Sequence, residues 1–160
     1  MPQIVLPLTV RDLTIQDLEV CGWTGIDLAY RTETLERARG DEIDYLAVCP
    51  PSGIPIATGG IDYTKPPGAA TIWQLSVDEA LRSCGIGTIL IQALEQRIRD
   101  RGLRHAQLGV DDNASRPRAL YERLGYVVCG SEVGSWNQQA PDGAVTLYET
   151  TITLLRKELS

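Results

Sequence analysis

The clearest hydrophobic pattern in the chain begins directly after Gly85. Apolar residues recur there at intervals of three and four positions, which is the spacing of one face of an α-helix. These residues are Ile86, Ile89, Leu90, Ala93, Leu94 and Ile98. Glu95 and other polar residues fall on the opposite face, and Gly102 is well placed to end the helix. The pattern predicts an amphipathic helix between Gly85 and Gly102.

Three apolar runs before this helix predict an antiparallel meander. Residues 45–49 form a compact apolar run that is typical of a central strand. A turn at residues 50–53 leads to a second strand over residues 54–63. Another turn, at residues 65–68, leads to a third strand over Ala70–Val77. Nearer the N-terminus the pattern is weaker.

Residues 4–8 predict a strand at the start of the chain. Residues 14–23 and Leu28–Arg39 predict two short helices, the second of which ends at Gly40 and Asp41.

The C-terminal third predicts one more helix between strands. Residues 106–110 alternate between apolar and other positions, as a strand does, and residues 115–124 predict a short helix. Strands are predicted over residues 126–130 and 146–155, with a long polar loop over residues 131–143.

This order of elements predicts a single domain over residues 1–160 with a mixed α+β fold. It combines helices, an antiparallel run and one strand–helix–strand crossover. It lacks the regular alternation of strand and helix that characterises a doubly wound dinucleotide-binding fold.

The net charge and the composition restrict the classes of molecule that the protein is expected to bind. The formal net charge is −6, which disfavours nucleic acid and suits a cationic small molecule or a basic peptide. No apolar run approaches the roughly 20 residues that a membrane span needs. Because no basic-then-apolar leader opens the chain, we expect no membrane partner and a cytoplasmic location.

The four cysteines do not indicate a metal site. Cys21, Cys49, Cys84 and Cys129 form no Cys-x-x-Cys pair, and the chain has one histidine. We therefore expect reduced thiols and no metal. Cys84 differs from the others because it lies in a glycine-containing loop.

That loop, residues 82–88, lies between a predicted strand and the start of the amphipathic helix. Free amides and the positive end of a helix dipole form an anion site at such a position. A P-loop is excluded because no lysine follows Gly87. A dinucleotide fingerprint would need a glycine where Leu90 stands.

Arg82-x-x-Gly85-x-Gly87, after a strand and before an amphipathic helix, resembles the pyrophosphate loop of the GNAT superfamily of acyl-CoA-dependent N-acetyltransferases. A second motif follows about 30 residues later. Asn113 precedes a helix that carries Leu120-Tyr121 and ends in Gly125-Tyr126, which is similar to the closing motif of the family. The resemblance covers residues 70–130. One residue more than the commonest family spacing separates Asn113 from Tyr121, so a small bulge or a shifted helix start is expected there.

The resemblance implies a central, mostly antiparallel, twisted sheet of six to seven strands flanked by about four helices, with a splayed parallel strand pair. It also implies that acetyl-CoA is the co-substrate. Loop amides would bind its diphosphate, and the strand edge at residues 75–77 would bind its pantetheine arm. The implied contacts are Leu75, Ser76, Val77, Arg82, Ser83, Cys84, Gly85, Ile86, Gly87, Thr88, Asn113 and Tyr121.

For catalysis, the resemblance implies that Tyr121 is the general acid that protonates the departing thiolate. The general base is not fixed by the resemblance. Many relatives carry a glutamate where this chain has Gly109. The remaining candidates are Asp111, Glu79, Asp62 and Glu132.

The amine acceptor is expected to contact aromatic and acidic side chains. Tyr30, Tyr63, Glu132 and Trp136 are the candidates, since such residues suit a cationic amine. The acceptor itself, a small molecule or a protein amine, is left open, and a homodimer is compatible with the family. Two alternatives remain: a non-catalytic acyl-CoA-binding sensor or partner-binding module of the same fold, and a nucleotide-binding oxidoreductase.

Overall fold

A computed structural model describes residues 2–65, 69–113 and 115–160 of the chain. Within these residues it contains seven strands, three α-helices and three short 3-10 helices. The strands are β1 (Thr9–Asp12), β2 (Ile43–Cys49), β3 (Ala57–Asp62), β4 (Ala70–Val77), β5 (His105–Asp111), β6 (Val127–Gln139) and β7 (Val145–Glu158). The α-helices are α1 (Leu28–Arg39), α2 (Ile86–Asp100) and α3 (Ser115–Arg123), and the 3-10 helices are Ile15–Val20, Gly22–Thr24 and Glu79–Leu81.

The strands form a single sheet in the order β1-β2-β3-β4-β5-β7-β6. Neighbouring strands are antiparallel except β4 and β5, which are parallel and are connected through α2. The predicted mixed, mostly antiparallel sheet with one parallel pair is therefore confirmed.

Each face of the sheet is covered by one of the two longer helices. Leu90, Leu94 and Ile98 of α2 are almost fully buried and pack with Ile72 and Leu108 of the sheet. On the other face, a smaller cluster forms beneath α1, which contributes Leu35. Burial of these apolar side chains is the main stabilising contribution to the fold. No described helix is long and apolar enough to cross a membrane.

The prediction of a loop over residues 131–143 is wrong. Residues 131–139 continue β6, which pairs with β7 from Val127 to Gln139 in a long two-stranded ribbon, and only residues 140–143 form the turn between the two strands. Most side chains of the ribbon are exposed on both faces, so no hydrophobic alternation marks β6 in the sequence. Main-chain pairing, rather than burial, holds this segment in place.

Two N-terminal predictions also need correction. Residues 4–8 form no strand: Ile4 and Val5 are exposed, and pairing begins where Thr9 lies opposite Cys49. Residues 14–23 form two 3-10 helices instead of one helix. The predicted turn at residues 65–68 lies mostly outside the described residues.

Candidate functional site

A bulge in β4 separates the two parallel strands. Gln74 adopts a left-handed backbone conformation with φ of 56°, and the register with β3 shifts between Thr58 and Gly60. Gly59 makes room for the bulge, because a Cβ atom there would lie 2.7 Å from a terminal methyl of Leu75. Such a bulge increases the local twist and bends the strand.

Beyond this bulge β4 and β5 diverge. Parallel pairing runs only from Ala70 with Ala106 to Ile72 with Leu108. The rest of β4 stays paired with β3, and the rest of β5 stays paired with β7. Residues 73–77 of β4 and residues 109–111 of β5 therefore face each other without pairing. The main-chain groups on these two facing edges have no strand partner in the gap. This is the predicted splayed pair.

The glycine-containing loop lies at the end of β4, before α2. Ser83 and Gly85 have positive φ angles of 66° and 83°, which orient successive main-chain groups differently from a regular turn. The first helical hydrogen bond runs from Ile89 N–H to Gly85 O, at 3.2 Å. The N–H groups of Ile86, Gly87 and Thr88 precede that bond and have no acceptor within the helix. With the helix dipole, they form a site for an anion.

Gly87 connects this loop to the rest of the site. A Cβ atom built there would lie 3.5 Å from Cδ2 of Leu120 and 3.8 Å from Cγ2 of Val77. The first turn of α2, the end of β4 and the helix α3 therefore meet at Gly87. The anion site and the end of β4 at the gap are consequently neighbours, and α3, which carries Tyr121, reaches the same junction.

Tyr121 is held by its aromatic neighbour. Its side chain is 8% exposed, and its ring lies edge-on to Tyr126 with centroids 6.3 Å apart. Tyr126 N–H also donates to Tyr121 O at 3.0 Å. Burial raises the pKa of Tyr121 to about 12, so the phenol is neutral at physiological pH.

A buried ionic group lies behind this tyrosine pair. Glu95, 3% exposed, accepts a hydrogen bond from Tyr126 Oη at 2.8 Å and two from Lys157 Nζ at 3.0 and 3.1 Å. The sequence pattern placed Glu95 on the polar face of the helix, which is wrong. Its partner Lys157 is 62 residues away, so no local signal could have revealed the pairing.

Asp111, a base candidate, is committed to hydrogen bonds at the end of β5. It accepts from Tyr148 Oη at 2.6 Å, from Thr150 Oγ1 at 2.7 Å and from Asn113 N–H at 2.9 Å. Partial burial alone would raise its pKa, but these hydrogen bonds outweigh that effect, and the pKa lies below the usual value. Asp111 is therefore a stable carboxylate and a weak proton acceptor. Sequence reasoning did not identify Tyr148 or Thr150.

Asn113, expected to contact the cofactor, has its side-chain amide turned toward this group. Its Nδ2 donates to Tyr148 Oη at 3.1 Å and to Thr150 Oγ1 at 3.2 Å. The other base candidates on this part of the sheet are exposed: Glu79 in the turn after β4, and Glu132 on β6.

Aromatic side chains gather on the α1 face of the sheet. Trp73 Nε1 lies 3.5 Å from Tyr30 Oη, and the Trp73 ring is 6.2 Å from that of Tyr45. On the β6–β7 ribbon, the rings of Trp136 and Tyr148 are in contact at a tilt of 48°, with their centroids 5.0 Å apart.

The ribbon reaches back toward α1 through a bridge between Gln138 and Ile26. Trp136 and Tyr30, two predicted acceptor contacts, therefore lie on elements that meet.

Tyr63 does not join these aromatics. Its hydroxyl donates to Asp44 at 2.6 Å, and the Arg101 guanidinium lies 3.9 Å from its ring centroid. Arg101 follows the last residue of α2, roughly 22 Å along the helix from the glycine loop at 1.5 Å per residue. Asp62 lies at the same end, paired with Arg37 at 3.2 Å.

An open groove of about 540 Å³ runs between α1, β1 and β2, and none of its lining residues belongs to the glycine loop. Among the residues described, no three His, Cys, Asp or Glu side chains are grouped closely enough to hold a metal ion.

Comparison with known proteins gives a match to a family model and many matches to solved structures. The N-acetyltransferase from Staphylococcus aureus Mu50 has a TM-score of 0.75 at 14% identity, covering 96% of this chain and 99% of that one. The ribosomal-protein-alanine N-acetyltransferase from Brucella melitensis has a TM-score of 0.73 at 19% identity, covering 94% and 99%. The ribosomal-protein-S18-alanine N-acetyltransferase from Escherichia coli has a TM-score of 0.70 at 17% identity, covering 96% and 95%.

At these identities, the structural matches establish the fold alone. No curated protein sequence matches the chain. The model of the "Acetyltransferase (GNAT) family" matches residues 13–126, which is more than half of the chain. The chain therefore belongs to the GNAT acetyltransferase family.

Proposed function

We propose that the protein is an acetyl-CoA-dependent N-acetyltransferase that acts by direct attack of an amine in a ternary complex. The observation that carries the proposal is the junction at Gly87, where free amides of α2 open onto the gap between β4 and β5. Bound acetyl-CoA would supply a thioester whose acetyl group is transferred to the amine.

In this proposal the chain binds acetyl-CoA mostly through its main chain. The N–H groups of residues 86–88 bind the diphosphate, and the exposed Arg82 side chain adds positive charge beside it. The edge of β4 at residues 75–77 pairs with the pantetheine arm as it would with another strand. A backbone amide near Val77 polarises the acetyl carbonyl.

Tyr121 is assigned to the departing sulfur. With a pKa of about 12, its phenol is a weaker acid than a thiol, whose pKa is about 8.5. Full transfer of the phenol proton to the departing thiolate would therefore cost about 5 kcal/mol. Tyr121 is therefore better suited to stabilise the sulfur by a hydrogen bond, with full proton transfer only as the amine gives up its own proton.

The acceptor must attack as a neutral amine. For an ammonium of pKa about 10.4, deprotonation at pH 7 costs roughly 4–5 kcal/mol. Asp111 is a weak acceptor for that proton, so Glu79 or Glu132 acting through water, or bulk water with a less basic amine, is assigned to this step.

A second candidate function is a non-catalytic acyl-CoA-binding module of the same fold. The lowered pKa of Asp111 and the glycine at position 109 favour it, because neither residue supplies a strong base on β5.

Release of free thiol from acetyl-CoA, measured against a panel of amines, separates the two functions. Thr88→Glu places a negative charge in the first turn of α2, where it stabilises the helix but repels a diphosphate. The matched control is Gln92→Glu, which adds the same negative charge at an exposed position one turn further along α2.

We expect amine-dependent turnover in the wild type and the Gln92 variant. The Thr88 variant should lose at least tenfold in affinity for CoA. Tight CoA binding without turnover on any amine would favour the non-catalytic module, and equal CoA affinity in both variants would contradict the loop assignment.

A further inference from the structure

Gln74 adopts a backbone conformation that its residue type disfavours. Its φ angle of 56° lies in the left-handed region, which glycine normally occupies because it has no Cβ atom. Within the described residues, only Asp41 and Ser83 share this conformation among the residues other than glycine. Such a conformation persists only where the surrounding structure holds it, and it is found most often at functional sites.

The disfavoured conformation coincides with the start of the gap. Gln74 and Leu75 of β4 together lie opposite the single residue Gly59 of β3. One type of bulge has a left-handed first residue, and that residue is usually glycine. The parallel pairing of β4 with β5 ends at Ile72, just before the bulge. The gap therefore opens at the residue whose conformation needs support.

Packing holds the two neighbours of Gln74, on opposite faces of the sheet. A Cβ atom at Gly60 would lie 2.6 Å from Cζ3 of Trp73, so the indole ring covers this glycine on the α1 face. A Cβ atom at Gly59 would lie 2.7 Å from a terminal methyl of Leu75, which packs on the α2 face. Neither contact involves Gln74, so its conformation needs a separate cause.

A hydrogen bond from Tyr45 of β2 holds the side chain of Gln74. Tyr45 Oη donates to Gln74 Oε1 at 2.7 Å, and the Gln74 side chain has no other hydrogen bond within the described residues. Tyr45 is 3% exposed, so its hydroxyl has little access to water as an alternative partner. Its ring lies 6.2 Å from that of Trp73, which fixes the direction of the hydroxyl. Burial raises the pKa of Tyr45, so the hydroxyl keeps its proton and remains a donor at neutral pH.

We propose that Tyr45 is a positioning residue for the acyl donor: its hydrogen bond holds Gln74 in the left-handed conformation and keeps residues 75–77 free to bind the pantetheine arm. This inference rests on the proposed function. Without the bond, Gln74 samples other backbone conformations, and the edge of β4 is competent to bind for a smaller fraction of the time. The apparent affinity for CoA falls by that fraction. The bulge itself remains, because a one-residue slip would turn Leu75 to the opposite face of the sheet.

The first test is a double-mutant cycle on CoA binding, measured by isothermal titration calorimetry. Tyr45→Phe removes the hydroxyl and keeps the ring, whereas Gln74→Gly removes the amide but tolerates the left-handed conformation. We expect Tyr45→Phe to raise the Kd for CoA about fivefold, the effect of losing one buried hydrogen bond. In the Gln74→Gly background the same change should alter the Kd by less than about twofold, because glycine needs no support. Equal effects in both backgrounds would overturn the proposal.

Gln74→Ala separates the hydrogen bond from the backbone conformation. Alanine and glycine both lack the amide, but alanine disfavours the left-handed region. We therefore expect Gln74→Ala to weaken CoA binding at least as much as Tyr45→Phe does, and Gln74→Gly to bind CoA within about twofold of the wild type. Equal Kd values for the alanine and glycine variants would show that the conformation at position 74 does not control binding, and would overturn the proposal.

Tyr63→Phe is the matched control for loss of a tyrosine hydroxyl. The Tyr63 hydroxyl also donates to a side chain, Asp44, at 2.6 Å, but its ring contacts Arg101 beyond the C-terminal end of α2. We expect this variant to keep the wild-type Kd for CoA, even if its Tm is lower. A loss of CoA affinity as large as that of Tyr45→Phe would show that general destabilisation is the cause, and would overturn the proposal.

Hydrogen exchange without CoA tests the positioning role independently of the proposed function. We expect Tyr45→Phe to speed exchange of the amides of β3 and β4 around the bulge, and Tyr63→Phe to leave them as in the wild type. Faster exchange in a protein that binds no CoA would support the role of the hydrogen bond while contradicting the proposed function. Unchanged exchange in Tyr45→Phe would overturn the inference, whether or not the protein transfers acetyl groups.

Discussion

Ile152 of β7 occupies the space beside Gly109 of β5. A Cβ atom at Gly109 would lie 2.5 Å from Ile152 Cγ2, a distance that side-chain carbons do not adopt. The other γ-carbon of Ile152 would lie 2.6 Å from a Cβ at Gly134 on β6, so one isoleucine fills the space above two glycines. By resemblance, position 109 is where many relatives carry a glutamate. In this chain that space is filled by packing, so a carboxylate cannot be restored there by one substitution.

Gly109→Ala should therefore destabilise the protein by about 1–3 kcal/mol through overpacking. Ile152→Ala alone should also destabilise it, because the buried part of the side chain is lost. Together the two changes should cost less than their sum, since each relieves the other. Urea unfolding of the four proteins in this cycle gives the coupling energy, and additive costs would show that the two residues do not compete for space.

The elements that bury one face could be predicted from the sequence with nearly correct bounds. Three such elements are α1, α2 and β4, whose hydrophobic periodicity or capping residues are local signals in the sequence. β6 could not be predicted in the same way, because its side chains are exposed on both faces and its pairing with β7 depends on main-chain hydrogen bonds.

The same distinction applies to the site. Gly85, with φ of 83°, marks the anion loop because the turn itself needs a residue that tolerates that conformation. The bulge at Gln74 and its hydrogen bond from Tyr45 depend on contacts between distant segments. Neither has a local pattern, and the sequence could not reveal them.

Tyr121→Phe tests the residue assigned to the leaving group. The ring keeps its contact with Tyr126, so the protein should fold normally and its KM for acetyl-CoA should change little. The kcat should fall by roughly 10²-fold, the lower end of the range for general acid–base catalysis. Because the pKa of Tyr121 is about 12, we expect no titration of this residue in the kcat profile between about pH 6 and 10. An unchanged kcat would remove Tyr121 from the mechanism.

Lys157→Met should destabilise the protein by about 3–5 kcal/mol, because it leaves the buried carboxylate of Glu95 without its cation. The double variant with Glu95→Leu should recover much of that loss, since it removes the uncompensated charge. Arg118→Ala is a suitable control: it breaks the exposed ion pair with Glu122 and should cost less than about 1 kcal/mol. A small effect for Lys157→Met in guanidinium unfolding would show that water reaches Glu95.

The cysteines provide a footprint of the cofactor site. Cys84, in the loop, and Cys129, on β6, are exposed, whereas Cys21 and Cys49 are buried. Burial raises the pKa of Cys21 to about 11, so that thiol should react slowly at pH 8. Iodoacetamide should label Cys84 and Cys129, and CoA should protect Cys84 alone, which peptide mass spectrometry can measure. Equal labelling of Cys84 with and without saturating CoA would place the diphosphate elsewhere.

The stability of the N-terminal region should depend on pH through Asp17. Hydrogen bonds from Arg11, the shorter at 2.7 Å, together with bonds from Thr14 N–H and Oγ1, hold the pKa of Asp17 below its usual value. A carboxyl whose pKa is lower in the folded state binds more protons when unfolded. Its contribution is therefore complete above about pH 5 and is lost as the pH falls through the folded-state pKa.

Asp17→Asn removes that dependence. The variant should be about 1–3 kcal/mol less stable than the wild type at pH 7, because the charge-assisted bonds to Arg11 are lost. The difference should shrink steadily below pH 4, where the wild-type carboxylate becomes protonated as well. Urea unfolding of both proteins from pH 2.5 to 7 measures this convergence. A stability difference that stays constant over the range would mean that the ionised form of Asp17 contributes nothing.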